Sequence, residues 1–207
     1  MATGARDTGR GDTVGAPLPT SEPLPPWRPL LRGAREREGR SPQARWLQLA
    51  SVAADGTPRV RTLVFRGWAG ASSLDLLSDG RSAKSKELAG HPAVELCWLL
   101  PRARCQFRLR GMVLILEASQ LQRERERHWQ ALTPGGRALW GWPAPGAPLE
   151  PDGDWPENLA DGTPMPDHFL LLRIQLSQVE QLDLGIQPHR RTLWRQATDW
   201  SAEPLNP

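Results

Sequence analysis

Three short stretches of this sequence gather cations, hydroxyls and an amide in patterns that suit a planar ligand carrying a phosphate. Arg61 to Arg66 (RTLVFR) is an alternating run with an arginine at each end. Arg61 and Phe65 fall on one face of such a strand, and Arg66 falls on the other. Ser78 to Lys86 (SDGRSAKSK) passes from a strand end into a helix start and collects Arg81, Ser82 and Lys84 around free backbone amides. The orphan N–H groups and the dipole of a helix start both favour an anion. Arginine adds forked donors, and lysine adds a point charge. Gln106 to Gly111 (QFRLRG) puts an amide on a strand, where it can read the edge of a ring. Each piece alone has a plainer reading. A basic helix start is commonly a solvated face, a strand arginine a rim charge, and Gln106 a satisfied polar group.

The elements that must carry these residues follow from periodicity. Pro23 to Arg40 spaces Trp27, Leu30, Leu31 and Ala34 as a short helix stopped by Gly39. Arg45–Ala53 and Pro58–Trp68 alternate on either side of Asp55-Gly56, a strong hairpin signal. Ser73–Leu77 reads as a third strand, and Ser82–Gly90 as a helix capped by Ser82 and closed before Pro92. Ala93–Leu100 and Arg104–Glu117 read as strands, with Gly111 marking a bulge or barrel corner. Ser119–Leu132 reads as a helix capped by Ser119, its RERER run a solvated face. The Pro/Gly-rich stretch 143–166 reads as a long loop, followed by a strand over His168–Asp183 and a last pair near 192–196 and 200–205. Residues 1–22 read as a disordered tail and 23–207 as one domain. Consecutive hairpins without a βαβ rhythm predict a mainly β, antiparallel barrel with about three short helices.

Composition excludes several classes. The net charge of +3 is too small to argue for nucleic acid. The basic residues are nearly all arginine; Lys84 and Lys86 are the two lysines. Ten tryptophans make base stacking conceivable, but most sit at apolar strand positions or in loops, which suits a core or an interface. Cys97 and Cys105 lack metal-ligand spacing and read as reduced core thiols of a cytoplasmic protein, with no metal expected. No apolar run reaches the length of a membrane span, and the first 20 residues lack the apolar core of a secretory signal.

The order and spacing of the three stretches, with the AVELCW strand between the second and third, resemble the FMN-binding half of the pyridoxamine 5'-phosphate oxidase family. HFLLL, VEQLDL, PHRR and the terminal LNP are similar to one subgroup of that family, so the resemblance spans about residues 27–207. It implies a split β-barrel that dimerises and binds FMN between its two chains. Arg61 matches a phosphate-binding arginine, Thr62, Leu63, Val64 and Phe65 the strand lining the isoalloxazine, and Arg66 the position of a lysine near ring and substrate. Ser78 and Asp79 match the strand end beside the flavin, Ser82 and Lys84 the phosphate grip, and Gln106 the ring-contacting glutamine. Arg191 matches a C-terminal flavin contact, with Arg190 the alternative one residue away. Ala83 replaces the middle arginine of the family's Ser-Arg-Lys grip, leaving Arg81 as its nearest substitute. Leu182 stands near the place of a C-terminal tryptophan.

The family's substrate-phosphate segment has no clear match in this sequence, although His128, Trp129 and Arg137 lie in its region. His189 echoes an Arg-x-His substrate pair whose arginine is Gln187 here. The resemblance therefore implies an FMN flavoprotein, either an oxidoreductase holding a small substrate with Arg66 and His189 or a non-catalytic FMN carrier or sensor.

Overall fold

The computed structural model describes residues 23–207; the tail expected to be disordered lies outside the described residues. Eight strands form one antiparallel sheet: β1 (Trp46–Val52), β2 (Pro58–Trp68), β3 (Ser73–Asp79), β4 (Ala93–Leu100), β5 (Cys105–Val113), β6 (Phe169–Asp183), β7 (Arg190–Arg195) and β8 (Ala202–Leu205). Their order is β3-β2-β1-β4-β5-β6-β7-β8. The first half of β6 also pairs with β3, from Ser73↔Gln175 to Asp79↔Phe169. Six strands therefore close into a barrel, which removes the exposed edges that the hairpin pattern had to dispose of. The second half of β6 carries β7 and β8 beyond the barrel.

Local chemistry explains the joints. In the β1–β2 hairpin the Thr57 amide donates to Asp55 Oδ1 at 3.0 Å, and Gly56 takes φ +80°, which a side chain would resist. At Gly111 the β5–β6 register shifts by one residue. A Cβ there would lie 2.1 Å from the Gln175 carbonyl oxygen, so the bulge requires glycine.

The inward faces of the strands supply the core, including Leu47, Leu49, Leu96, Leu109 and Val179, all fully buried. Helix α1 (Trp27–Glu38) packs on this core: Trp27 packs against Trp68 and Trp200, and the Arg28 guanidinium lies 3.7 Å from the Trp68 ring centroid. A second, smaller core of Leu77, Trp129, Leu132, Trp140, Phe169 and Leu171 covers the outer face of the β3–β6 seam. It is built under helices α3 (Ala118–Gln130) and α4 (Pro134–Ala138).

The structure corrects several expectations. β5 ends at Val113, not Glu117; the following segment leaves the sheet and leaves Ile115 99% exposed. Helix α3 begins at Ala118 with Glu117 before it and has no side-chain cap, so Ser119 does not cap it. The RERER run is not merely solvated, because Arg125 donates to the carbonyls of Phe169, Pro166 and Asp167. Among the described residues there are four α-helices rather than about three; α4 begins at Pro134 after its N-cap Thr133, whose Oγ1 accepts from the Gly136 amide at 3.1 Å. The stretch 143–166 contains no regular element but is pinned. Trp142 donates to Pro156 O at 2.9 Å, Trp129 to Thr163 O at 2.9 Å, and Arg137 pairs with Asp161 at 2.6 Å. The last strands are Arg190–Arg195 and Ala202–Leu205, displaced slightly from the expected bounds. Both cysteines are free thiols, and burial pushes the Cys105 thiol up to about 11.

Candidate functional site

The turn between β3 and helix α2 (Ala83–Gly90) is held by its own hydrogen bonds. Asp79 Oδ1 accepts from the Arg81 amide at 2.7 Å, and the Asp79 carbonyl accepts from both the amide and the hydroxyl of Ser82. Ser82 stands at the N-cap, yet its side chain makes no cap bond; it accepts from Lys84 Nζ at 2.9 Å. The first turn of α2 therefore has no side-chain cap competing with an anion for its amides. Burial holds the Lys84 ammonium below its ordinary value, and the neighbouring Arg61 depresses it further. Two cations brought together in a partly desolvated place are stabilised by an anion between them.

Arg61 does reach this corner, but it is not free there. Its guanidinium donates to Ser51 and pairs with Glu87 of α2 at 2.6 Å. Arg81 is also engaged, with Asp79 at 2.6 Å and with the Trp142 carbonyl at 3.0 Å. Hydrogen bonding to Asp79 raises the Arg81 guanidinium further above its ordinary value. Of the three expected cations, Lys84 and Arg61 converge, whereas Arg81 turns back onto its own turn.

Along β2 the side chains part company as the period of two requires. Phe65 is buried in the core between Trp68 and Trp98, and Leu63 packs against that core. Thr62 and Val64 lie on the outer face, where Thr62 is exposed and Val64 half-buried. Arg66 sits in the β2–β3 irregularity, half-buried, with its Nε buried and unpartnered among the described residues. Burial, then the nearby Arg45, lowers its guanidinium from the ordinary value. An orphaned donor of this kind is stabilised by an acceptor from a ligand.

Gln106 and Arg191 lie elsewhere. The register sets Leu99, Gln106, Leu182 and Arg191 side by side across β4, β5, β6 and β7. This row belongs to the outer face, three strands from Val64, or about 14 Å at ordinary strand spacing. Arg191 donates to Glu180 at 2.9 Å and leaves its own Nε buried and unpartnered among the described residues. Glu180 also binds Arg108. Arg190 is exposed. His189 is in the turn before β7, its Nδ1 3.0 Å from the Ile186 carbonyl oxygen, and β3 and β6 lie between that strand and the β2 strand of Arg66. The candidate residues of one chain thus fall into two groups, two candidate partial sites: Arg61, Ser78, Asp79, Ser82 and Lys84 at the β3–α2 corner, with Arg66 further along β2, and Gln106 and Arg191 on the row across β5 to β7.

Sequence reading missed a buried ion cluster beside the first partial site. Asp75 on β3, 1% exposed, accepts two bonds from Arg173 at 2.8 and 2.9 Å and lies 2.9 Å from His128 Nε2. Glu124 Oε2 also accepts from Arg173 Nη2, at 2.7 Å. Burial opposes ionisation of Asp75, but the Arg173 and His128 hydrogen bonds outweigh it, so the carboxyl lies below its ordinary value. The cluster ties α3 to the barrel. Asp75, Glu124 and His128 are grouped closely enough to suggest a metal, but Arg173 and Arg127 each already pair with both carboxylates.

The residues present fit FMN. An uncapped helix start with two converging cations suits the phosphate, and orphaned arginine donors suit the polar ring edge. Residues 24–117 match the family model described as pyridoxamine 5'-phosphate oxidase, FMN-binding domain. The pyridoxine/pyridoxamine 5'-phosphate oxidase 2 of Arabidopsis thaliana is 32% identical, over 88% of this chain and 97% of that protein. The pyridoxine/pyridoxamine 5'-phosphate oxidase of Pseudomonas syringae pv. tomato is 26% identical, over 94% of this chain and 80% of that one. A pyridoxamine 5'-phosphate oxidase-related, FMN binding protein from Nostoc punctiforme superimposes with a TM-score of 0.80 at 34% identity, over 90% of this chain and all of that one. PhzG from Burkholderia lata shares the fold at 20% identity, with a TM-score of 0.69. With the split barrel, the phosphate corner and relatives aligned along almost their whole length, the chain belongs to the pyridoxamine 5'-phosphate oxidase-like family, whose cofactor is FMN.

Proposed function

We propose that the protein is an FMN-dependent oxidoreductase working as a homodimer, with each flavin held between the first partial site of one chain and the second of its partner. The observation that carries this reading is the separation of Gln106 and Arg191 from Arg61 and Lys84 on one chain. The two sets stand three strands apart around the barrel, and a second copy laid across the outer sheet face would bring one chain's set toward the other chain's. Exposed apolar side chains on that face, Val60 at 67%, Trp46 at 49% and Leu99 at 47%, support such a contact.

FMN, when bound, supplies a two-electron acceptor. The protein's part is to hold the phosphate with Lys84, Arg61, Ser82 and the α2 amides. The outer face of β2, with Thr62 and Val64, would line the ring, and Arg66 would offer its orphaned donor to ring or substrate. Arg66 and His189 of opposite chains hold the small substrate in this reading.

A carrier or sensor remains the second reading, and one observation favours it. His128 is bound to Asp75, and Arg137 to Asp161 and to the Trp129 carbonyl, so neither is available for a substrate phosphate. The visible spectrum of the purified protein tests the cofactor; flavin bands are expected. Anaerobic addition of pyridoxamine 5'-phosphate then separates the readings. Bleaching within seconds rules out the carrier. An unchanged spectrum with that compound, and with a panel of small reductants, rules out the oxidoreductase.

A further inference from the structure

A closed circuit of hydrogen bonds surrounds the turn that bears the phosphate corner. Trp140 Nε1 donates to the Ser78 carbonyl at 3.1 Å. The Trp140 carbonyl accepts from His168 Nε2 at 2.9 Å. The His168 carbonyl accepts from the Gly80 amide at 2.8 Å. Arg81 extends the circuit by joining Asp79 to the Trp142 carbonyl. The turn Ser78–Arg81 is thus fixed by residues some 60 to 90 positions away, at the two ends of the long 143–166 excursion.

The partners are placed to act with little play. Trp140 is 7% exposed and wedged edge-on against Trp129 and Phe169. Phe169 pairs with Asp79 in the β3–β6 register, so His168 stands directly after the strand end that the turn leaves. Ser78 is buried, which makes its carbonyl dependent on a protein donor. The excursion itself is anchored on α3 and α4 by Trp129, Arg137 and the Leu159 amide, so its ends cannot drift independently. None of these side chains reaches the α2 amides or Lys84; they hold the peptide units that aim them.

We infer that Trp140 and His168 are positioning residues for the phosphate of the flavin. Through Ser78 and Gly80 they fix the angle at which the β3–α2 turn presents Ser82, Lys84 and the α2 amides, and so set the preference for FMN over unphosphorylated riboflavin. The 143–166 excursion is the strap that keeps both of them in place. This rests on the FMN reading above and concerns one end of that site only. An anion grip depends steeply on geometry, because charge-assisted bonds weaken when donors are misaligned. The ring end of the flavin lies along β2 and against the second partial site, neither of which the circuit touches.

The test uses the full chain and compares its Kd for FMN with its Kd for riboflavin by flavin-fluorescence titration. Trp140→Phe removes the N–H and keeps an aromatic wedge. His168→Ala removes the donor to Trp140, and His168→Gln restores an N–H of similar reach. Trp140→Phe and His168→Ala are each expected to weaken FMN about fivefold, the worth of one neutral hydrogen bond. Riboflavin binding stays within twofold of wild type, and His168→Gln recovers most of the FMN affinity. Tm and far-ultraviolet circular dichroism are recorded for each variant, and the His168 pair decides the matter if Trp140→Phe fails to fold. Equal weakening toward both flavins, or none toward FMN, overturns the inference while leaving the cofactor reading intact. A wild-type protein that binds FMN no better than riboflavin overturns the phosphate reading and this inference with it.

Discussion

Replacing Asp75 by asparagine keeps the shape of the side chain and removes the charge around which the cluster under α3 is organised. In the wild-type protein this carboxylate is almost fully buried and receives both forks of Arg173 and a contact from His128. Removing one partner of a buried ion pair costs about 3–5 kcal/mol, chiefly because the other charge is left uncompensated. Arg173 keeps Glu124 at 2.7 Å, and asparagine keeps one acceptor oxygen, so the low end applies. The expected loss is about 3 kcal/mol, or about 6–12 °C in Tm for a chain of this size. The Asp75 carboxyl lies below its ordinary value when folded, so its stabilisation is present above the unfolded value and lost as pH falls through the folded one. The gap between wild type and Asp75→Asn is therefore full near neutrality and narrows below about pH 4. Equilibrium urea denaturation at about pH 7, 5 and 3.5 measures it. A gap under about 1 kcal/mol at neutral pH, or one that does not shrink in acid, refutes the assignment of a charged, stabilising Asp75.

Lys84→Met is expected to weaken FMN by about 1–3 kcal/mol, the range for a charge-assisted contact, with riboflavin little affected; parallel fluorescence titrations check it. Trp46→Glu together with Leu99→Glu places charge on the outer sheet face and is expected to convert a sedimenting dimer into a monomer that loses yellow colour on dialysis. A monomer that keeps FMN contradicts the shared site. Gly111→Ala drives a methyl group into the Gln175 carbonyl and is expected to destabilise by about 3 kcal/mol or more, read as a fall in Tm. A Tm within 2 °C of wild type shows that the bulge relaxes at little cost.

How much of this was legible beforehand depended on the range of the interactions. The β1–β2 hairpin, the Gly39 stop and the Gly111 bulge are written in neighbouring residues, and the sequence reading located all three. The meeting of Arg61, Ser82 and Lys84 at one corner was legible for the same reason, whereas the turning of Arg81 onto Asp79 and the Trp142 carbonyl was not. Asp75 was invisible because SLDLL reads as a strand with one wet face, on which an aspartate needs no explanation. In the structure the residues from Ser73 to Ser78 are buried on both faces, because α3 and α4 cover the side turned away from the barrel. The partner that makes burial of Asp75 tolerable, Arg173, is 98 residues away. The split between the two partial sites was hidden by the same limit. The family resemblance matches Arg61 and Gln106 to one ligand, but motif order does not say on which chain each would serve. That follows only from register, which sets Gln106 beside Leu182 and Arg191 and strands away from Val64. The geometry of one chain is thus the strongest argument for two. Residues collected by a single family pattern lie on separate parts of the barrel, and the proposed symmetric pairing of outer sheet faces would return them to one flavin.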